Sequence, residues 1–268
     1  MFARGMPQEW LRWLLVAALM LPVVGGCGGS DQQQEQEEGQ TSQAALDTAL
    51  EESFEQSAAP GVVAAVQTPE YTWVRALGVA DRTSEEPMTP DVHQRIGSVT
   101  KPFTISLLLQ AVDEGLLSLD DTIDRYVEGV PNGDVITLAQ MANMTSGLAN
   151  YSENKQFDGD PGADPYKVWE PEELAQIGIE DSPLFDPGTE FYYSNTNTVL
   201  LGLVLEQVTS ELIGDLYRER ITEPLGLQET SFPDATDPSL PVPHAQGYCP
   251  GLLPPRLASR RSRPRGAR

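Results

Sequence analysis

The hydrophobic pattern of this chain places two short strands before a long series of helices. Residues 62–67 and 72–79 are rich in β-branched side chains and flank a turn that contains Pro69, which predicts an antiparallel hairpin. Helical spacing of apolar residues is found in the segments 44–58, 98–115, 136–142, 170–177, 197–209 and 212–221. Because strands and helices do not alternate, we predict an α+β fold with an antiparallel sheet and a helical part.

Ser98 and Lys101 lie at the start of the second helical segment. Residues three apart on a helix are neighbours, so the lysine amine can reach the serine hydroxyl. A serine becomes nucleophilic when an adjacent base takes its proton, and a lysine with a lowered pKa can do this. The pair is therefore a candidate acyl-enzyme site, although a helix cap at Ser98 and a surface charge at Lys101 would explain the same pattern.

Two other sequence features bear on this site. The Ser-x-x-Lys spacing recurs at residues 152–155, among Gly, Pro and Asp and without apolar periodicity, so we predict a solvated loop there. Tyr193 and Asn195 directly precede an apolar helix. A tyrosine near a lysine can act as a base, and an asparagine amide can orient a lysine and a substrate. A helix cap and a packed ring are the structural alternative for these two residues.

Eight short motifs follow one another along the chain: Pro60-Gly61, Pro87-Met88-Thr89-Pro90, Gly97-Ser98-Val99-Thr100-Lys101-Pro102-Phe103, Leu119-Asp120-Asp121, Ile136-Thr137-Leu138, Met144-Thr145-Ser146-Gly147-Leu148, Tyr193-Ser194-Asn195 and Glu223-Pro224-Leu225-Gly226-Leu227. The order of these motifs and the residues in them resemble those of the serine β-lactamase-related family, which contains class C β-lactamases, D-alanyl-D-alanine carboxypeptidases and related esterases. The resemblance covers residues 44–248 and implies one serine hydrolase domain with a β-lactamase/transpeptidase-like fold.

The resemblance also implies a role for each candidate residue. Ser98 would attack a carbonyl and form an acyl-enzyme, Lys101 and Tyr193 would share the serine proton, and Asn195 would position Lys101 and the substrate amide. The substrate would be a β-lactam, a D-Ala-D-Ala peptide or an ester, and no metal or other cofactor is expected. Many relatives have a histidine where this chain has Met144, a change that we expect to be structural.

The end of the chain departs from the family. The family's third motif, His-x-Gly or Lys-Thr-Gly, does not occur after Tyr193, and residues 249–268 carry six arginines and no acidic residue. This change in composition predicts a truncation or a non-native reading frame. In either case the C-terminal strands and the last helix would be missing, and we expect weak or no activity. The alternative interpretation is that these residues form a basic tail that binds an anionic partner.

The alternative function for the chain is that of a non-catalytic lipoprotein that binds peptidoglycan-like ligands or a partner.

The start of the chain predicts export. Residues 1–26 combine a positive start with an apolar stretch too short to span a bilayer, which is typical of a signal peptide. Val24-Gly25-Gly26-Cys27 resembles a lipobox and implies lipidation of Cys27 at the outer face of a bacterial cytoplasmic membrane. The alternatives are an ordinary signal peptide, which would give a secreted or periplasmic protein, and a short uncleaved anchor. Residues 27–43 are predicted to be a disordered tether. The net charge of −23 argues against nucleic-acid binding.

Overall fold

The computed structural model of the protein describes residues 30–158 and 167–248. Its helices are α1 (Ser30–Gln56), α2 (Thr100–Asp113), α3 (Leu138–Ala142), α4 (Lys155–Asp158), α5 (Pro171–Glu180), α6 (Asn195–Thr209) and α7 (Ile213–Tyr217). Its strands are β1 (Gly61–Gln67), β2 (Thr72–Asp81) and β3 (Glu86–Pro87). The chain divides into two compact units, residues 1–90 and 91–268, and the residues predicted as one domain fall into both.

Several sequence predictions concern residues outside the described ranges. The predicted signal peptide at 1–26, the lipidated Cys27 and the basic tail at 249–268 all lie there. Among the helices of residues 30–158 and 167–248, none combines the length and the apolar character needed to cross a membrane.

The first unit contains the predicted hairpin. β1 pairs with β2 in antiparallel register from Gly61 opposite Gly78 to Gln67 opposite Thr72. The short β3 pairs with the other edge of β2, so the three strands form an antiparallel sheet in the order β1-β2-β3. The prediction of an antiparallel sheet is thereby confirmed.

Helix α1 begins earlier than its apolar pattern predicted. The backbone of residues 30–43 is helical, whereas the sequence predicted a disordered tether over 27–43 and a helix from Ala44. Gln and Glu fill residues 32–38 and have high helix propensity, so the helix continues without an apolar face there. Its later part contacts the sheet, because Asp47 accepts a hydrogen bond from the Trp73 indole at 2.9 Å.

The second unit is helical and is built around α2 and α6. The predicted helices at 98–115, 136–142, 170–177 and 197–209 are all confirmed, with ends that differ by a few residues. The segment predicted as a helix at 212–221 is α7 followed by a π-helical turn at Arg218–Thr222. Fully buried side chains from α2, α3, α6, α7 and the segments between these helices form one core: Leu107, Leu108, Ile123, Ile136, Leu138, Met141, Leu148, Leu200, Leu201, Val204, Leu205 and Leu216.

The Thr-Ser-Gly turn after α3 is held against the start of α6. The buried Ser146 hydroxyl donates to Asn197 Oδ1 at 2.6 Å, and the Thr196 hydroxyl donates to the carbonyl oxygen of Ala149 at 2.6 Å. Gly147 adopts φ +80°, and a Cβ built on it would lie 2.3 Å from the carbonyl oxygen of Phe185. A side chain at this position would therefore strain the turn and collide with backbone.

We expect Gly147→Ala to lower the free energy of unfolding by about 2–6 kcal/mol, because left-handed strain and steric overlap each cost about 1–3 kcal/mol. Gly202→Ala is the matched control. Gly202 lies in α6, where an added Cβ would have nothing within 4 Å, and alanine has a higher helix propensity, so the control should be neutral or stabilising by up to about 1 kcal/mol. Urea denaturation measures both variants, and equal stability of the two would contradict the prediction.

Candidate active site

Ser98 lies in a tight helical turn that leads directly into α2. The turn spans Gly97–Val99 and α2 starts at Thr100. Gly97 enters the turn with φ +53°, a conformation that favours glycine. Lys101 follows one helical turn later, and its Nζ donates to Ser98 Oγ at 3.2 Å. The contact predicted from the spacing of the two residues is confirmed, since the amine and the hydroxyl are within hydrogen-bond distance.

Tyr193 and Asn195 reach the same point from the start of α6. Tyr193 Oη donates to Ser98 Oγ at 2.6 Å. Asn195 Oδ1 accepts from Lys101 Nζ at 2.7 Å, and this ammonium lies 4.7 Å from the centroid of the Tyr193 ring. The structure thus brings together all four predicted site residues of this unit, although α2 and α6 are far apart in the sequence.

Backbone hydrogen bonds place Tyr193 beside Ser98. The segment before α6 runs along the Thr-Ser-Gly turn, where the Gly188 amide donates to the Thr145 carbonyl at 2.8 Å and the Tyr192 amide donates to the Met144 carbonyl at 3.0 Å. Tyr193 is therefore positioned by the residue next to it in the chain, which is anchored to a packed turn.

Met144, the residue that replaces the common histidine, is part of this anchor. It is buried and has φ +64°. Its Sδ accepts a hydrogen bond from Asn197 Nδ2 at 3.5 Å. Its side chain packs at the start of α6, in agreement with a structural role.

The tyrosine phenol is electrostatically prepared to lose its proton. Hydrogen bonds with Lys101 and with Ser98, together with the positive charge of Lys101, lower the pKa of Tyr193 below its ordinary value, against a smaller opposing effect of burial. A lowered pKa makes the phenolate accessible at a lower pH. Ser98 Oγ is therefore in contact with an amine and with a phenol, and the deprotonated form of either group could take its proton.

Sequence reasoning missed two residues that contact this cluster. Asn195 Nδ2 donates to Ser152 Oγ at 3.0 Å, and the Asn195 backbone amide donates to Asn150 Oδ1 at 3.1 Å. The prediction of a solvated loop at 152–155 was wrong, because Asn150 caps a helical turn at Tyr151–Glu153. The second Ser-x-x-Lys was the signal available in the sequence, but only its serine joins the site.

Comparison with known proteins identifies relatives of this arrangement. The family model described as Beta-lactamase matches residues 46–259. D-aminopeptidase from Brucella anthropi is 33% identical over 173 residues, which cover 64% of this chain and 32% of that protein. Penicillin-binding protein 4* from Bacillus subtilis (strain 168) is 27% identical over 187 residues, covering 69% of this chain and 40% of that protein. The chain thus spans about a third to two fifths of the length of these two relatives.

Comparison with solved structures identifies hydrolases of a similar kind. A D-stereospecific amidohydrolase from Streptomyces sp. superposes with a TM-score of 0.66 at 33% identity, covering 76% of this chain and 58% of that protein. D-amino acid amidase from Ochrobactrum anthropi SV3, complexed with D-phenylalanine, has a TM-score of 0.64 at 29% identity, covering 77% of this chain and 55% of that protein. Both similarities support the β-lactamase/transpeptidase-like fold.

Proposed function

The chain belongs to the Beta-lactamase family of serine hydrolases, and we propose that it is a D-amino acid amide hydrolase that works through an acyl-enzyme on Ser98. The observation that carries this proposal is the contact of one serine hydroxyl with both Lys101 Nζ and Tyr193 Oη. The same geometry would serve a β-lactam, a D-Ala-D-Ala peptide or an ester, so the site alone supports acyl transfer in general.

The reaction follows from the positions of the four side chains. Lys101 or Tyr193 accepts the Ser98 proton as Oγ bonds to the substrate carbonyl carbon, and the resulting tetrahedral intermediate carries the negative charge on oxygen. The bond to the leaving amine then breaks, and the amine takes up the proton. Water attacks the ester on Ser98, releasing the acid and restoring the hydroxyl. The backbone N–H of Ser98, in the first turn of the helix, would donate to the oxyanion.

The choice of substrate rests on the relatives. Three of them are named D-aminopeptidase, D-stereospecific amidohydrolase and D-amino acid amidase. Each name specifies the D-configuration, and two of them also specify an amide. An amide of a D-amino acid with a bulky side chain, such as D-phenylalanine amide, is the corresponding test substrate. Since this chain spans only part of each relative, its own substrate is a proposal.

We expect faster release of ammonia from D-phenylalanine amide than from L-phenylalanine amide, because the proposed hydrolase acts on the D-configuration. The L-amide is the matched control, since it has the same bonds and the same chemical reactivity. Nitrocefin and p-nitrophenyl acetate test the β-lactam and ester alternatives in the same assay. Hydrolysis of nitrocefin alone, or equal rates for the two amides, would contradict the proposed substrate.

One further part of the proposal rests on the sequence. The charged and apolar pattern of residues 1–26, with Cys27 after it, leads us to propose export and lipid anchoring.

A further inference from the structure

The serine of the second Ser-x-x-Lys lies beside the site. Ser152 is partly buried in the turn Tyr151–Glu153, whereas Lys155 is exposed at the start of α4. The Ser152 hydroxyl accepts a hydrogen bond from Asn195 Nδ2 at 3.0 Å. Ser152 therefore contacts a residue that itself holds Lys101 in the proposed catalytic cluster.

The direction of each hydrogen bond in this group is determined. The Ser152 hydroxyl has one proton, which it donates to Asn150 Oδ1 at 3.0 Å, so it can only accept from Asn195. Asn150 Nδ2 donates to Glu153 Oε1 at 3.0 Å, which directs Asn150 Oδ1 toward Ser152. The pKa of Glu153 is lowered mainly by the hydrogen bond from Tyr192 and, to a smaller extent, by the one from Asn150. The carboxylate is therefore ionised over a wider pH range, and in that form it can only accept hydrogen bonds.

This series of bonds determines which end of the Asn195 amide faces Lys101. The amide NH2 is directed to Ser152, so the amide oxygen accepts from Lys101 Nζ at 2.7 Å. The two ends of an amide have nearly the same shape, and hydrogen bonding alone distinguishes them. If the amide turned over, its NH2 donor would face the Nζ donor, and the lysine would lose its bond beside Ser98.

We infer that Ser152 is a positioning residue, which orients the Asn195 amide and so holds Lys101 Nζ against Ser98. Asn150 and the Glu153 carboxylate set the direction of the Ser152 hydroxyl. This inference rests on the proposed function for its catalytic meaning, but the orientation that it assigns can be measured without any turnover.

Lysine NMR measures the orientation directly. The chain has three lysines, Lys101, Lys155 and Lys167, so protein labelled with ¹³Cε,¹⁵Nζ-lysine gives three side-chain signals, and Lys101→Arg assigns the signal of Lys101. In Ser152→Ala we expect the Lys101 signal to shift and to exchange faster with water, while the other two signals stay in place. Ser152→Thr keeps the hydroxyl and should restore the wild-type signal.

The matched control is Ser106→Ala, since the exposed Ser106 hydroxyl of α2 donates to the Pro102 carbonyl, outside this network. It should leave all three lysine signals unchanged. An unshifted Lys101 signal in Ser152→Ala would overturn the inference, as would an equal shift in the threonine variant. Both outcomes can be read whether or not the protein hydrolyses a substrate, so failure here is distinct from failure of the proposed function.

A second readout connects the orientation to the reaction. In a fluorophosphonate labelling assay we expect Ser152→Ala to react with Ser98 about tenfold more slowly, the loss expected for one neutral hydrogen bond, with Ser152→Thr close to wild type. Thermal melting of each variant reports stability separately. A slower reaction that threonine does not rescue would identify a packing effect and would reject the positioning role.

Discussion

Ser98→Ala is expected to abolish both covalent labelling by a fluorophosphonate probe and the release of ammonia from D-phenylalanine amide. The physical reason is that Ser98 Oγ is the atom in contact with both Lys101 Nζ and Tyr193 Oη. Without this atom there is no oxygen from which either group could take a proton, and no covalent intermediate can form. Intact-protein mass spectrometry measures the labelling as an added mass, and a coupled ammonia assay measures turnover.

Two serine variants serve as controls for this loss. Ser106→Ala removes an exposed hydroxyl from the same helix and should be labelled like the wild type. Ser152→Ala removes the serine of the second Ser-x-x-Lys and should still be labelled, only more slowly. Full labelling of the Ser98→Ala protein, or its complete loss in Ser152→Ala alone, would show that Ser98 is the wrong copy of the motif.

Much of the helical unit could be predicted because its pattern is local. Apolar periodicity located α2, α3 and α6, and a local contact starts α3, where the Thr137 hydroxyl accepts from the Gln140 amide at 3.2 Å. The Ser98–Lys101 contact follows from spacing within one helix. The contact of Tyr193 with Ser98 spans distant segments, and only the resemblance to a family indicated it.

The roles of Asn150 and Ser152 could not be read from the sequence. Their bonds to Asn195 depend on how the capped turn Tyr151–Glu153 packs against the start of α6, and periodicity carries no information about such a contact. Composition was equally misleading for α1, where a polar segment at 30–43 was predicted to be disordered although Gln and Glu permit a helix.

Lys101→Gln tests which group controls the proton of Ser98. Lys101 is the largest cause of the lowered pKa of Tyr193, through its hydrogen bond and its charge. Removing the amine should therefore raise the pKa of Tyr193 toward its ordinary value, so the phenolate appears at a higher pH than in the wild type. Ultraviolet absorbance titration, with Tyr193→Phe subtracted, measures this shift.

The same variant should react with a fluorophosphonate about a hundred- to ten-thousandfold more slowly, the usual effect of removing a general base. Its rate should also rise with pH over a higher range than in the wild type, because Tyr193 would then be the remaining base and its phenolate forms later. Lys155→Gln, which changes an exposed lysine of the second motif, is the matched control and should leave rate and titration unchanged. If Lys101→Gln slowed labelling without moving the pKa of Tyr193, Lys101 would act on Ser98 directly, and the shared role of the two bases would be rejected.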